Sequence, residues 1–236
     1  IGPGSGNLTE YLFNQRPKKI ILVEKDKRFT NLLRDKYENQ KNLKIFNSDI
    51  LKFDLEKFLL DKTIIFGNLP YNISTQILAK FISFKNWPPS FSKMIFMFQK
   101  EVADRILAKT NTKNYGRLAV LVNSRLEVTE SFDVSKNCFF PKPAVNSRIL
   151  VFKPIRKLNY KINNINNLEK ITNIFFSNKR KMINKSFSKI FKDYEKVANN
   201  FKINLSSRPA ELACEDYYKL TEHYESQWFI NCSDFS

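Results

Sequence analysis

Short apolar runs that alternate with amphipathic stretches constrain this chain before anything else does. Residues 20–24, 43–47, 63–67 and 93–98 are brief and rich in Ile, Leu, Val and Phe, the composition of buried strands. The stretches near 8–15, 26–38 and 73–84 read as helices between them; in the last, Ile73, Ile77, Leu78, Phe81 and Ile82 fall on one face. Strands separated by helices imply a mainly parallel sheet, because parallel neighbours need a crossover connection. The expected class is therefore α/β.

Open α/β sheets place their ligands at the carboxyl ends of the strands. After Thr63–Gly67 that position holds Asn68-Leu69-Pro70-Tyr71. The set suits an exocyclic amino group on a flat base. The Asn68 side-chain oxygen and the Leu69 or Pro70 carbonyl can accept its two N–H bonds, and Tyr71 can stack on the ring. Asn and Pro are also ordinary turn residues, so the tetrapeptide gains its meaning from a second site upstream. In Ile1-Gly2-Pro3-Gly4-Ser5-Gly6-Asn7, glycines at 2, 4 and 6 allow a tight turn and close backbone approach before a helix. Glu24 closes the first apolar run, where a carboxylate can accept both hydroxyls of a ribose. Asp49 follows 43–47 and can meet the adenine end of the same nucleoside. The G-x-G-x-G spacing, with Asn at position 7, departs from the G-x-G-x-x-G of dinucleotide binders. With the acids and Asn68 in order at successive strand ends, it reads as a methyltransferase site for S-adenosylmethionine, held by Gly2, Gly4, Gly6, Glu24, Asp49 and Asn68.

Forty Lys plus Arg against 23 Asp plus Glu give a net charge of +17, which favours a polyanionic partner or reflects a lysine-rich composition left to solvent. Cys138, Cys214 and Cys232 form no C-x-x-C pair and, with the single His223, no metal-ligand spacing, so no metal and reduced cytoplasmic thiols are expected. No apolar run approaches the ~20 residues of a membrane span. The chain lacks an initiator Met and opens inside a motif. The expectation is that an upstream segment is missing, that the cofactor cleft is partly open, and that Gly4 to Asn7 are loosely held.

Farther along, a helix runs from 100 to about 108 and another near 115–124; 109–114 is a polar loop. Patchy strand signal from 126 to 134 and a run at 147–153 are joined by a short connection with Pro141 and Pro143, which implies antiparallel neighbours. The Asn-rich stretch 159–167 marks a boundary, giving a nucleoside-binding domain over 1–154 and a helical domain over 155–236. Between 177 and 192 lie Lys179, Arg180, Lys181, Lys185, Lys189 and Lys192 with no acid. Several fall opposite the apolar face of an expected helix; such a face is ordinarily just solvated, and contacts an RNA backbone where it stands beside an RNA-modifying domain. Arg208, before Pro209, is expected to cap or order a helix pair.

The order IGPGSGNLT, VEKD, NSDIL, FGNLPYNIS, FMFQKEVADRI, NYGRL, FFPKPAVNS resembles the rRNA adenine N6-dimethyltransferase family, most closely its bacterial small-subunit (KsgA) type. The resemblance is strong over 1 to about 153 and continues through Ser177–Lys181 and Ser207–Leu212. It implies a Rossmann-like S-adenosylmethionine-dependent sheet with a small C-terminal helical domain. It further implies dimethylation of two adjacent adenines near the 3′ end of small-subunit rRNA, in a monomer acting on an immature 30S particle in the cytoplasm. Phe139, in FFPKPAVNS, would close over the target adenine opposite Tyr71, with Phe140 as the competing ring. Three alternatives stand beside it: a large-subunit dimethyltransferase of the macrolide-resistance type, a non-enzymatic nucleic-acid-binding relative of the mitochondrial transcription factor type, and a DNA adenine methyltransferase. NLPY, SRPAEL and the basic C-terminal segment favour the small-subunit enzyme.

Overall fold

The structure is a computed structural model that describes residues 1–233, with side chains through 227; Cys232 therefore lies outside the described side chains. In chain order the elements are α1 (Asn7–Asn14), β1 (Ile20–Glu24), α2 (Lys27–Lys36), β2 (Leu43–Asn47), β3 (Ile64–Asn68), α3 (Ser74–Ile82), β4 (Lys93–Gln99), α4 (Lys100–Ile106), α5 (Arg117–Arg125), β5 (Leu126–Val134), β6 (Ser147–Pro154), α6 (Ile165–Phe176), α7 (Asn184–Ser188), α8 (Tyr194–Asn200) and α9 (Cys214–Ser233). They divide into two compact units. One holds residues 1–81, 89–100 and 128–154; the other holds 82–88, 101–127 and 155 onward. The division read from sequence at 154 and these units thus differ over 82–88 and 101–127. The reason is that α5 packs on α6 and α9.

In the first unit, β1 and β2 are parallel, with Ile20 opposite Leu43 and Glu24 opposite Asn47. One face of the pair carries Ile20, Leu22, Leu43 and Ile45, which close a small core with Leu33, Phe13 and Tyr37 of the flanking helical segments. The start of α2 is set by Asp26, whose carboxylate accepts the Arg28 N–H at 2.8 Å. Arg34 and Lys36 lie in its last turn, where cations suit the helix dipole. A separate four-stranded sheet runs in the order β3-β4-β6-β5. Within it β4 is parallel to β3 and antiparallel to β6, and β5 and β6 are neighbours as expected. Phe81, Phe91, Phe96, Phe98 and Phe152 are fully buried around this sheet and touch edge-on or tilted. Instead of one continuous sheet there are two, and residues 1 and 2 lie between them. The Gly2 N–H donates to the Val23 carbonyl at 2.9 Å, and the Ile1 nitrogen to that of Phe66 at 2.7 Å. Two bonds tether the pieces without making a ladder.

The second unit is helical. Leu168, Ile171, Phe175, Phe187, Phe191, Tyr217 and Leu220 are buried to within a few percent of complete. Two charged side chains are buried with them. Glu225 accepts the N–H groups of Asn163 and Asn164 at 2.7 and 2.9 Å, and so satisfies donors at the start of α6. The Arg125 guanidinium donates to the carbonyls of Ile82 and Phe84 at 2.6 and 2.7 Å and stacks 4.9 Å from the Trp87 ring centre. Before the turn Pro209–Glu211, the Arg208 backbone N–H donates to Glu211 Oε2 at 3.1 Å and its carbonyl accepts the Glu211 N–H at 2.9 Å, so the ordering there comes from the backbone and not from the guanidinium, which has no acceptor. The basic stretch departs from expectation: it is not one helix. The chain leaves α6 at Phe176 and turns, because the Ile183 N–H is taken by the Ser207 carbonyl at 2.9 Å while Ile183 itself is fully buried.

Candidate active site

Three strand ends build the site within the first unit. Carried there by the bonds of residues 1 and 2, the glycine turn is tied down, not loose. Gly4 N–H donates to Glu24 Oε2 at 3.1 Å, and Gly6 N–H to the Pro3 carbonyl at 3.0 Å. Gly2, Gly4 and Gly6 all have positive φ, 58°, 56° and 85°, which L side chains rarely adopt. At Gly6 a Cβ would also lie 2.7 Å from Leu33 Cδ2, so glycine there lets α1 and α2 meet. At Gly2 and Gly4 nothing lies within 4 Å of that position: the backbone faces open space.

Glu24 is buried, and its other oxygen accepts the Asp26 N–H at 2.8 Å. Sequence reasoning placed this carboxylate against a ribose. It missed that the same group pins the glycine turn. An ionised carboxylate offers about four acceptor positions, so two remain for hydroxyls. Asp49 accepts the Leu51 N–H at 3.0 Å and pairs with Lys25 at 2.9 Å, and Lys25 holds its carboxyl below the usual carboxylate range. Lys80 on α3 donates to the Leu51 and Phe53 carbonyls at 3.0 and 2.7 Å, fastening the turn that carries Asp49. Burial depresses the Lys80 ammonium. No sequence signal marked it. An open cradle of positive-φ backbone, a buried carboxylate with spare acceptors and a second carboxylate at the next strand end fit S-adenosylmethionine.

β3 ends on Asn68, one residue beyond the run at 63–67 read from sequence, so Asn68 is the strand's last residue instead of the first after it. Gly67 before it is dictated by packing: a Cβ there would meet Leu69 Cδ2 at 2.5 Å and Phe96 Cδ1 at 3.0 Å. The Leu69 side chain is buried and anchors the turn, while the Asn68 amide is exposed and makes no hydrogen bond among the described residues. The Pro70 carbonyl accepts the Ile73 N–H at 3.1 Å, in the turn that starts α3. Of the two carbonyls left open by sequence, that of Leu69 is without a donor among the described residues. Tyr71 is half-buried, and its hydroxyl is 2.7 Å from Ser147 Oγ.

Ser147 begins β6 and is fully buried, so this bond ties NLPY to the end of FFPKPAVNS. The sequence contained Ser147 inside that motif but assigned it no role. The loop before it is held by Asn146, whose side chain accepts the Lys136 N–H at 3.0 Å and whose carbonyl accepts the Lys100 N–H at 2.9 Å. In that loop Phe139 is half-buried and Phe140 fully exposed.

The basic residues belong to the second unit. Arg180, Lys181, Lys185 and Lys189 are exposed. Lys179 is half-buried and donates to the Lys113 carbonyl at 2.6 Å, which fastens the polar loop 109–114. Among the described residues no group of His, Cys, Asp and Glu is placed to hold a metal ion, and no helix is long and apolar enough to cross a membrane.

Comparison with known proteins bears on the chain as a whole. The ribosomal RNA adenine dimethylase family matches residues 1–226. The Ribosomal RNA small subunit methyltransferase A of Pelagibacter ubique is 44% identical over 225 residues, covering 95% of this chain and 85% of that protein. Its namesake in Malacoplasma penetrans is 40% identical over 223 residues, covering 93% and 78%. Among solved structures, a dimethyladenosine transferase from Plasmodium falciparum superposes with a TM-score of 0.75 at 27% identity, over 96% of this chain and 88% of that one. The 23S rRNA methyltransferase ErmE shares the fold, with a TM-score of 0.65 at 22% identity over 95% and 88%. A match that runs from the glycine turn through the helical unit, with relatives at 40% and 44% identity, places the chain in the ribosomal RNA adenine dimethylase family.

Proposed function

We propose that this member of the family dimethylates N6 of two adjacent adenines near the 3′ end of small-subunit rRNA, as a monomer acting on an immature 30S particle in the cytoplasm. The chain is an S-adenosylmethionine-dependent rRNA adenine dimethyltransferase by its family. The small-subunit reading is supported by the names of its relatives, and N6 as the methylated atom by one feature of the site: the exposed Asn68 amide beside a Leu69 carbonyl that has no donor among the described residues.

Bound S-adenosylmethionine supplies a methyl group on a sulfonium, so the protein needs to align more than to activate. The adenine N6 lone pair is delocalised into the ring and is a poor nucleophile. Asn68 Oδ1 and the Leu69 carbonyl, accepting one N–H each, draw the nitrogen toward a tetrahedral shape and free its lone pair. Pro70 stiffens the turn, and its own carbonyl is spent on Ile73. Tyr71, held by Ser147, offers a ring for an unstacked base, and Phe139 the opposing face. Glu24 and Asp49 take the ribose and adenine ends of the donor, and Gly2, Gly4 and Gly6 let it lie against the backbone. The nitrogen's proton is acidic once alkylated, so no general base is required.

Methyl incorporation into purified immature 30S particles, 50S particles and naked DNA tests this reading. Dimethyladenosine in the 30S rRNA alone is the expected product. Preferential labelling of 50S particles or of DNA would replace it with another substrate.

A further inference from the structure

We propose that the amino-terminal edge of the β1–β2 pair is a second RNA-docking surface, in which Lys18, Lys19, Lys41 and Lys44 take backbone phosphates. It rests on the rRNA substrate proposed above and adds a contact remote from the catalytic strand ends. The four lysines and Asn42 line one concavity of about 350 Å³. All four lysines are exposed, and none joins an ion pair among the described residues. Several cations elsewhere in the unit are engaged, Lys25 with Asp49, Lys36 with Glu10, Lys57 with Asp54, and Lys100 and Arg148 with Asp133; the four here differ in sharing one hollow that no carboxylate lines. Isolated surface lysines are ordinarily just solvated. Four around one hollow without a carboxylate repel one another, and that repulsion is relieved when an external polyanion enters.

The hollow is also firmly framed. The Ile20 N–H donates to the Asn42 carbonyl at 2.9 Å, and Asn42 Nδ2 to the Pro17 carbonyl at 3.0 Å, locking 17–20 against 41–44 where the strands begin. The lysines thus project from a fixed base with spacing set by strand pairing. Because β1 and β2 are parallel, this edge is the opposite end from Glu24 and Asn47. Five residues of strand put it about 15 Å from the cofactor side. A phosphate contact here would extend the footprint on a structured RNA without touching the donor or the target base. It is sequence-independent by nature, since phosphates carry no base identity.

The test compares wild type, a K18Q/K19Q/K41Q/K44Q variant and a control that loses the same charge at scattered exposed sites, K62Q/K153Q/K202Q/K219Q. Binding to immature 30S particles and to protein-free small-subunit rRNA is measured across a salt series, and binding of S-adenosylhomocysteine by calorimetry. The expected result is a ~10–100-fold loss of affinity for both RNA forms in the first variant. Its log–log salt slope should shrink by about 0.9 for each phosphate that is no longer neutralised, with cofactor affinity unchanged. A much smaller change is expected in the control. An unchanged slope, an equal loss in the control, or a loss confined to the 30S particle, which would assign the lysines to an acidic ribosomal protein, overturns the proposal and leaves the rRNA reading intact. A wild type that neither binds nor methylates small-subunit rRNA removes both.

Discussion

At the scale of single residues the site separates groups proposed to touch the target from groups that hold others in place. The Asn68 side chain is exposed and makes no hydrogen bond among the described residues, so its replacement removes an acceptor and little else. Asn68→Ala should lower methyl transfer at saturating donor and RNA by at least ~100-fold, with an unchanged melting temperature. Near-normal turnover would remove the two-acceptor mechanism. Glu24 is different because it pins the glycine turn as well as taking the proposed cofactor role. In Glu24→Gln the amide has one acceptor oxygen where the carboxylate had two, and its NH2 faces a backbone N–H. S-adenosylhomocysteine affinity should fall by about 10-fold or more in calorimetry, together with a small loss of stability. An unchanged affinity would take Glu24 out of the cofactor site.

At the scale of elements, short polar clasps decide where secondary structure places its side chains. Lys80 joins α3 to the turn after β2 through two carbonyls, a link between the element that follows NLPY and the turn of Asp49. Lys80→Met should cost about 1–2 kcal/mol of stability, since it leaves two carbonyls without donors, and should weaken donor binding more than RNA binding. Denaturant unfolding and calorimetry on the same variant separate the two effects. In α9, His223 lies between Phe191 and Phe201, with ring centres 5.7 and 5.5 Å away. Burial favours its neutral form and lowers its pKa below the ordinary 6.5. The unfolded chain therefore takes up the proton first, so this contribution is full above pH 6.5 and declines as the pH falls from there toward the folded value. Denaturation at pH 7.5 and 5 should show that decline in wild type, and a flatter profile in His223→Phe.

At the scale of the whole molecule, the net charge of +17 is spread over both units. In the helical unit Lys181, Lys185 and Lys189 are exposed around a turn and a short helix, although no single helix aligns them. Reversing all three to Glu should weaken binding to 30S particles and flatten its salt dependence, while calorimetric donor affinity stays at the wild-type value. Loss of donor affinity as well would mean that these residues support the fold instead of the RNA.

The sequence by itself determined the α/β class, the strand ends, and Gly2, Gly4, Gly6, Glu24, Asp49 and Asn68 as their occupants. Those features are local: strand and helix periodicities, and polar residues at the carboxyl end of each apolar run, are legible a few residues at a time. It also contained the family, through motifs in a set order. Only the tertiary structure decided which carbonyl stands free beside Asn68, because that depends on the Ile73 N–H turning back onto Pro70. The Tyr71–Ser147 bond, the Lys80 clasp and the engagement of Glu24 by Gly4 join residues 76, 29 and 20 positions apart, and no local pattern encodes such pairs. The break in the basic stretch was hidden for the same reason: Ile183 spends its N–H on Ser207, a partner that local helical periodicity could not reveal.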